Sequence, residues 1–275
     1  MSNFTIADLK TLMARLREPV YGCPWDQAQS YQTIAPSTLE EAYEVVDAIE
    51  QGSAQQLKEE LGDLLFQVIF YSQLGVEEGE FDFDGIVSDL VAKLIRRHPH
   101  VFPDGTLASR INPATLGSED REAMIKASWE TIKKEEREQK GQMGLLDDVP
   151  AAFPALPRAA KLQKRTSRIG FDWPNTAGVY DKLNEEIAEL KAAEQNKDAD
   201  NIEEELGDLL FTVVNLSRHL KVDPESALRR ANQKFEARFK VIEQIAAVNK
   251  TALDGHKKIP ADVLEKWWSE AKKSV

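Results

Sequence analysis

A six-residue string occurs twice in this chain. Leu61-Gly62-Asp63-Leu64-Leu65-Phe66 returns 145 positions later as Leu206-Gly207-Asp208-Leu209-Leu210-Phe211. The same offset carries Glu41 onto Glu186, Glu44 onto Glu189 and Glu60 onto Glu205. Lys93 and Arg97 meet Lys234 and Arg238 at offset 141, and Trp129 and Lys133 meet Trp268 and Lys272 at offset 139. A repeat on this scale restricts the fold to two copies of one unit. The falling offset places small net insertions in the first half. Residues 141–157, rich in Gly, Pro and Asp, read as the junction, which sets the units at 1–145 and 146–275. The segment 103–118 reads as a polar loop of the first unit.

The periodicity inside each copy is helical. Leu57, Leu61, Leu64, Leu65 and Val68 recur at spacings of three and four, which lines them along one stripe. Strand signals are scarce, and no Asn-Gly or Asp-Gly joins two alternating runs; Asp104-Gly105 sits in a polar stretch. Helices are predicted near 4–17, 38–51, 54–78, 84–97, 119–140, 155–167, 178–195, 199–221, 224–248 and 260–273. Ser53 and Asp223 suit N-caps, with Pro224 in the first helical position after Asp223. Pro99 stops the helix ending near Arg97. The expected fold class is all-α, two repeated helical bundle domains.

Composition excludes several function classes. No apolar run reaches the length of a membrane span, and the N-terminus has no basic region followed by an apolar stretch. Cys23 is the single cysteine, so no internal disulfide forms and a cytoplasmic location is expected. The net charge of -12 argues against a clamp on a nucleic-acid backbone. It does not argue against a small phosphorylated ligand bridged to acidic groups by a divalent cation.

Each half carries Glu-x-x-Glu followed by Glu-x-x-Asp: Glu41, Glu44, Glu60 and Asp63, then Glu186, Glu189, Glu205 and Asp208. Residues three apart share a helix face. Two such helices packed antiparallel bring four carboxylates together, and four anions repel unless a cation neutralises them. Oxygen-only ligands suit magnesium or manganese. One such pair alone reads as a solvated helix face. Its exact repetition at the edge of an apolar stripe favours the metal reading. A di-iron bundle needs Glu-x-x-His pairs. Ile95, Arg97, Leu216 and Leu253 precede His98, His100, His219 and His256 by three, so that pattern is missing.

Lys234 and Arg238 lie four apart on one helix face, where Arg suits bidentate contact with phosphate. Read alone they are a surface pair; repeated as Lys93 and Arg97 they stand level between that and a phosphate site. Trp268, four before Lys272, is placed to stack on a base with Lys272 on a phosphate, and the alternative is a core tryptophan beside a solvated lysine. Trp267 is adjacent, and one of the two is expected in the core. His98-Pro99-His100 reads as a helix end. The loops Cys23-Pro24-Trp25-Asp26 and Phe171-Asp172-Trp173-Pro174 precede the first acidic helix of each half. They read as tryptophan anchors first and as walls of a base pocket second.

The stretches GCPWD, TLEEAYEVVDAI, ELGDLLFQVIFYSQ, RRHPHVF, KLQKRTSRIGFDW and EEELGDLLF resemble the MazG family of all-α nucleoside triphosphate pyrophosphatases in its two-domain bacterial form. The resemblance covers nearly the whole chain. It implies hydrolysis of nucleoside triphosphates to monophosphate and pyrophosphate with magnesium. It also implies homodimers in which helices from two subunits complete each site. Carried onto this sequence, it makes Glu186, Glu189, Glu205 and Asp208 the metal ligands. Lys182, Glu185, Lys234, Arg238, Trp268 and Lys272 become nucleotide contacts, with Asn201 and Glu204 beside the second acidic pair. Glu185 and Glu204 are the two candidates to take the proton of the attacking water. Offset 145 from Lys182 lands on Ser37, and Asn201, Ile202 and Glu203 face Gln56, Leu57 and Lys58. The missing lysine makes the second half the expected main catalytic site, with Glu41, Glu44, Glu60 and Asp63 as a second candidate. Two rival readings are a pyrophosphatase of narrower substrate range in the same superfamily and a non-catalytic helical scaffold.

Overall fold

A computed structural model describes residues 4–111, 128, 131–132, 135–136, 141, 144–253 and 258–275. Contacts divide the chain into two compact units, Met1–Lys133 and Lys134–Val275. Every regular element among the described residues is a helix, as the periodicity predicts. The helix expected near 119–140 falls largely outside the described residues, as do Trp129 and Lys133.

In the first unit, α1 (Ile6–Leu16) opens on a reciprocal cap between Thr5 and Asp8. A single turn, α2 (Pro24–Gln27), follows. Then α3 (Tyr31–Gln51) and α4 (Ala54–Glu78), joined through Gly52 and Ser53, pack along each other as an antiparallel hairpin. Next comes α5 (Phe83–Arg97), which stops at His98 just before Pro99. The first acidic helix starts at Tyr31 rather than near 38. Ser30 and Thr33 bond reciprocally and close the first turn, so Pro36 falls where its ring removes one main-chain hydrogen bond without ending the helix. Met13, Ile34, Ile69, Phe70 and Leu74 form the core. Arg17 seals its edge: it pairs with Glu77 at 2.7 Å, donates to the Asp26 carbonyl and lies 5.3 Å from the Phe70 ring centre. The predicted apolar stripe faces this core only in part, since Leu61 and Val68 are exposed while Ile69 and Phe70 are buried.

In the second unit, α6 (Ala155–Thr166) and a 3-10 turn (Ser167–Ile169) lead into a loop through Gly170. Gly170 sits at φ 84°, a left-handed conformation that favours glycine. Next come α7 (Thr176–Asn196), α8 (Ala199–His219), α9 (Pro224–Val248) and α10 (Ala261–Ser274). Here α7 and α8 make the hairpin and α6 lies on α8, whereas α9 packs mainly on α10 and on α6. Ile242, Ala246, Trp267 and Ala271 are buried together, so Trp267 is the core tryptophan.

The repeat survives in the element boundaries. At offset 145, α3 and α7 share both ends, and α4 and α8 share their first residue. At offset 141, α5 and α9 share theirs. The drop of four is the length difference between α4, with 25 residues, and α8, with 21. The exposed apolar positions repeat too: Leu61 and Val68 answer to Leu206 and Val213, all four exposed.

The two hairpin turns differ. Gly52 follows α3 in an extended conformation, whereas Lys197, the matching residue after α7, is left-handed at φ 56°. A left-handed lysine is strained by its Cβ. Lys197→Gly is expected to stabilise the chain by about 0.5–1 kcal/mol, read as a higher urea midpoint with an unchanged slope.

Candidate metal and nucleotide site

The hairpins bring the acidic pairs together. Oxygens of Glu41, Glu44 and Glu60 all lie within 4.8 Å of one another in the first unit, as do those of Glu186, Glu205 and Asp208 in the second. The fourth acid of each set, Asp63 or Glu189, lies outside these groups but acts on them. Burial first, then Glu44 and Asp63, push the Glu41 carboxyl above its ordinary value. Burial and the same two neighbours raise Glu60. Burial, then Glu189, Glu186 and Asp208, raise Glu205. Carboxylates crowded until Glu41, Glu60 and Glu205 resist ionisation form an oxygen-only donor set that a hard divalent cation relieves, so the residues fit the predicted metal.

The two clusters are not equivalent. Lys182 reaches down one turn of α7, with Nζ 2.8 Å from Glu185 and 2.7 Å from Glu186. These bonds, to Glu185 and then Glu186, hold its ammonium well above the ordinary lysine value. Glu186 is only 2% exposed, so this ion pair is buried on the glutamate side. In the first unit Ser37 stands in place of Lys182, and among the described residues no cation pairs with Glu41, Glu44 or Glu60.

The raised Glu60 carboxyl makes a pH test. A folded value above the ordinary 4.5 means that the group contributes stability below that value and loses it as pH rises through the shifted value. In EDTA, Glu60→Gln is therefore expected to melt with wild type in acid and above wild type near neutrality. With saturating magnesium the order should reverse. Melting curves of both proteins across this pH range, with and without the cation, check it.

The other predicted contacts are spread over α8, α9 and α10, and of these Glu204 adds to the charge that raises Glu205. Asn201 is the third residue of α8, its N–H bonded to the capping Asp198 carboxylate at 3.2 Å, and Glu204 is exposed one turn on. Lys234 is exposed on α9. Trp268 tilts against Phe235 with ring centres 5.5 Å apart, and the Arg238 guanidinium lies 5.7 Å from the Trp268 ring centre. Lys272 is exposed at the end of α10. No packing of α9 or α10 against α7 is described.

The two loops before the acidic helices differ. Trp25 is 62% exposed. In the second unit Trp173 packs over Gly178, and the loop is pinned as well through Asp172, by Arg218 and by His219 at 3.1 Å. Burial raises the Asp172 carboxyl, but bonds from Arg218 and His219 outweigh it and hold the group below its ordinary value. This loop, α6 and α8 line a half-open cavity of about 480 Å³, with Gln163 and Asn215 among its lining residues. Neither residue was singled out from the sequence. A polar residue inside an apolar helical stripe was the available signal.

A model of the MazG nucleotide pyrophosphohydrolase domain matches residues 29–102 and again 177–242, which covers both acidic hairpins and the helix after each. The chain belongs to the MazG family. Among curated MazG-type relatives, the nucleoside triphosphate pyrophosphohydrolase of Escherichia coli K12 is 47% identical over 267 residues, covering 96% of each chain. The nucleoside triphosphate pyrophosphohydrolase/pyrophosphatase MazG of Thermotoga maritima is 40% identical over 96% of this chain and 94% of its own. Both relatives match along nearly their whole length.

Proposed function

We propose that this chain hydrolyses ribo- and deoxyribonucleoside triphosphates to monophosphate and pyrophosphate, with magnesium as the cation and the second unit as the main site. The observation that carries it is the cluster of Glu186, Glu205 and Asp208 with Lys182 bonded to its edge, in a chain 47% identical to a nucleoside triphosphate pyrophosphohydrolase. Glu186, Glu189, Glu205 and Asp208 would hold the cation, with manganese a possible substitute. A divalent cation bound there supplies Lewis-acid polarisation of phosphate and a water acidic enough to attack at neutral pH. Lys182, Lys234 and Arg238 offset phosphate charge as it moves towards the leaving group. Glu185 or Glu204 accepts the water's proton; Glu185 is already bonded to Lys182, and Glu204 is exposed. Asn201, Trp268 and Lys272 complete the nucleotide contacts.

A homodimer accounts for two features. It covers the repeated apolar positions Leu61, Val68, Leu206 and Val213, and it lets α9 and α10 of one copy serve the acidic hairpin of another. No described helix is long and apolar enough to cross a membrane. A cytoplasmic protein without nucleic-acid or membrane partners is the setting that goes with this reading.

The test is pyrophosphate release from a panel of ribo- and deoxyribonucleotides, with magnesium or EDTA, on wild type, Glu44→Ala and Glu189→Ala. Release that needs magnesium and is lost only in Glu189→Ala is the expected result. Equal loss in both variants would make the first unit a second active site. No release from any nucleotide would return the scaffold reading.

A further inference from the structure

We propose that Asp172, Arg218 and His219 form a clamp that positions the acidic hairpin of the second unit and gives its cation site a preference for magnesium over calcium. This rests on the metal reading above, and none of the three is a residue assigned to the metal. Arg218 and His219 stand in the last turn of α8, and Asp172 lies in the loop before α7. One carboxylate oxygen of Asp172 takes every bond of the clamp: from Arg218, from His219 at 3.1 Å and from the Trp173 N–H at 3.0 Å. The side chains are 20%, 22% and 13% exposed for Asp172, Arg218 and His219, so water competes little for these bonds.

The loop carries the clamp to α7. Asn175 accepts the Ala177 N–H at 2.9 Å and caps the helix. Trp173 lies so close over Gly178 that any Cβ there would collide with its ring. The start of α7 is thereby tied to the end of α8, opposite the Lys197-Asp198 turn that joins their other ends. Glu186 stands ten residues from either end of α7, and Asp208 ten before Arg218, ~15 Å along the axis in each case. The acids therefore sit midway between two supports.

The first unit holds the same end of its hairpin without charge. Gln27, Gln73 and Leu74 stand at the clamp positions at offset 145. Tyr31 of α3 stacks on Tyr71 of α4 with ring centres 6.0 Å apart, and the Tyr71 hydroxyl is 2.7 Å from that of Thr38. Thr176, Leu216 and Leu183 replace Tyr31, Tyr71 and Thr38 in the second unit, which has the clamp instead.

The two cations ask different things of such a hairpin. Magnesium takes near-ideal octahedral geometry at about 2.1 Å, whereas calcium binds at about 2.4 Å with a flexible number and arrangement of oxygens. Glu186 comes from α7, and Glu205 and Asp208 come from α8, so the site is assembled across the two helices. Helices released at one end splay, and the loss of fixed ligand positions falls on magnesium first.

The test uses the full chain with Glu60→Gln in every protein, which weakens the first unit's cluster, and the probes are magnesium alone and calcium alone. Binding of each is followed by thermal shift, without nucleotide, for this parent, Asp172→Asn, Arg218→Gln and both substitutions together. Magnesium affinity is expected to fall about tenfold in each single variant, and calcium affinity by less than about threefold. The double variant should lose no more than the worse single one, because the two side chains act as one clamp. Arg218→Gln keeps the test open where Asp172→Asn does not fold. A merely structural loop would lower both affinities together, and that result overturns the proposal, as does an unchanged affinity for magnesium. A parent that responds to neither cation, or whose response survives Glu205→Gln, removes the metal reading itself and the clamp's role with it.

Discussion

Glu205→Gln is expected to lower magnesium-dependent pyrophosphate release by at least about 100-fold, whereas Glu60→Gln leaves most of it. Even a residue one step removed from a metal typically costs 10–100-fold when lost, and Glu205 is a direct ligand in this proposal. Its oxygen lies within 4.8 Å of those of Glu186 and Asp208, so the amide both halves a ligand's capacity and removes a charge from the donor set. The amide also removes the burial cost, and then the repulsion, that raise Glu205, so the variant should melt at or above wild type in EDTA near neutrality. Lost turnover with an intact fold is thus the diagnostic combination. Full turnover of Glu205→Gln under saturating magnesium would remove the assignment. Loss in Glu60→Gln alone would move the chemistry to the first unit.

Lys182→Ser, which writes the first unit's residue into the second, is expected to lower the melting temperature in EDTA and to restore it with magnesium. Glu186 is 2% exposed and bonded to Lys182 at 2.7 Å. Without the ammonium its charge stands beside Glu205 and Asp208 with nothing to balance it, which is a buried charge left unpaired. Magnesium then replaces the lost partner, so the thermal shift on adding it should be larger than in wild type and reach half its size at a lower concentration. Turnover should nevertheless fall, because a cation that offsets phosphate charge has gone. The reciprocal Ser37→Lys should weaken the first unit's response to magnesium. An unchanged magnesium response in Lys182→Ser would show that the lysine does not compete for that cluster.

The acidic clusters were readable from residue order because their geometry is local. Carboxylates three apart must share a helix face, and a hairpin between two such helices does the rest. The bonds from Lys182 to Glu185 and Glu186 follow from spacings of three and four in the same way. What depended on tertiary packing was not readable. The start of α3 at Tyr31 turned on a reciprocal cap upstream of a proline that looks like an interruption. Trp25 lies exposed although its sequence neighbourhood suggested an anchor. Gln163 and Asn215 look like ordinary helical amides until α6 and α8 close over them. The exposure of Leu61 and Val68 likewise depends on what covers them, which periodicity does not report.

The extra turn of α4 changes the gauge of the first unit. From Asp63 to the end of α4 is four residues more than from Asp208 to the end of α8, which is ~6 Å along the axis. Lys93 and Lys234 each come ten residues after the first residue of their helices, so the added distance is not recovered later. Two rails that carry the same fittings therefore run at different spans. Duplication here yields one set of fittings at two measuring lengths.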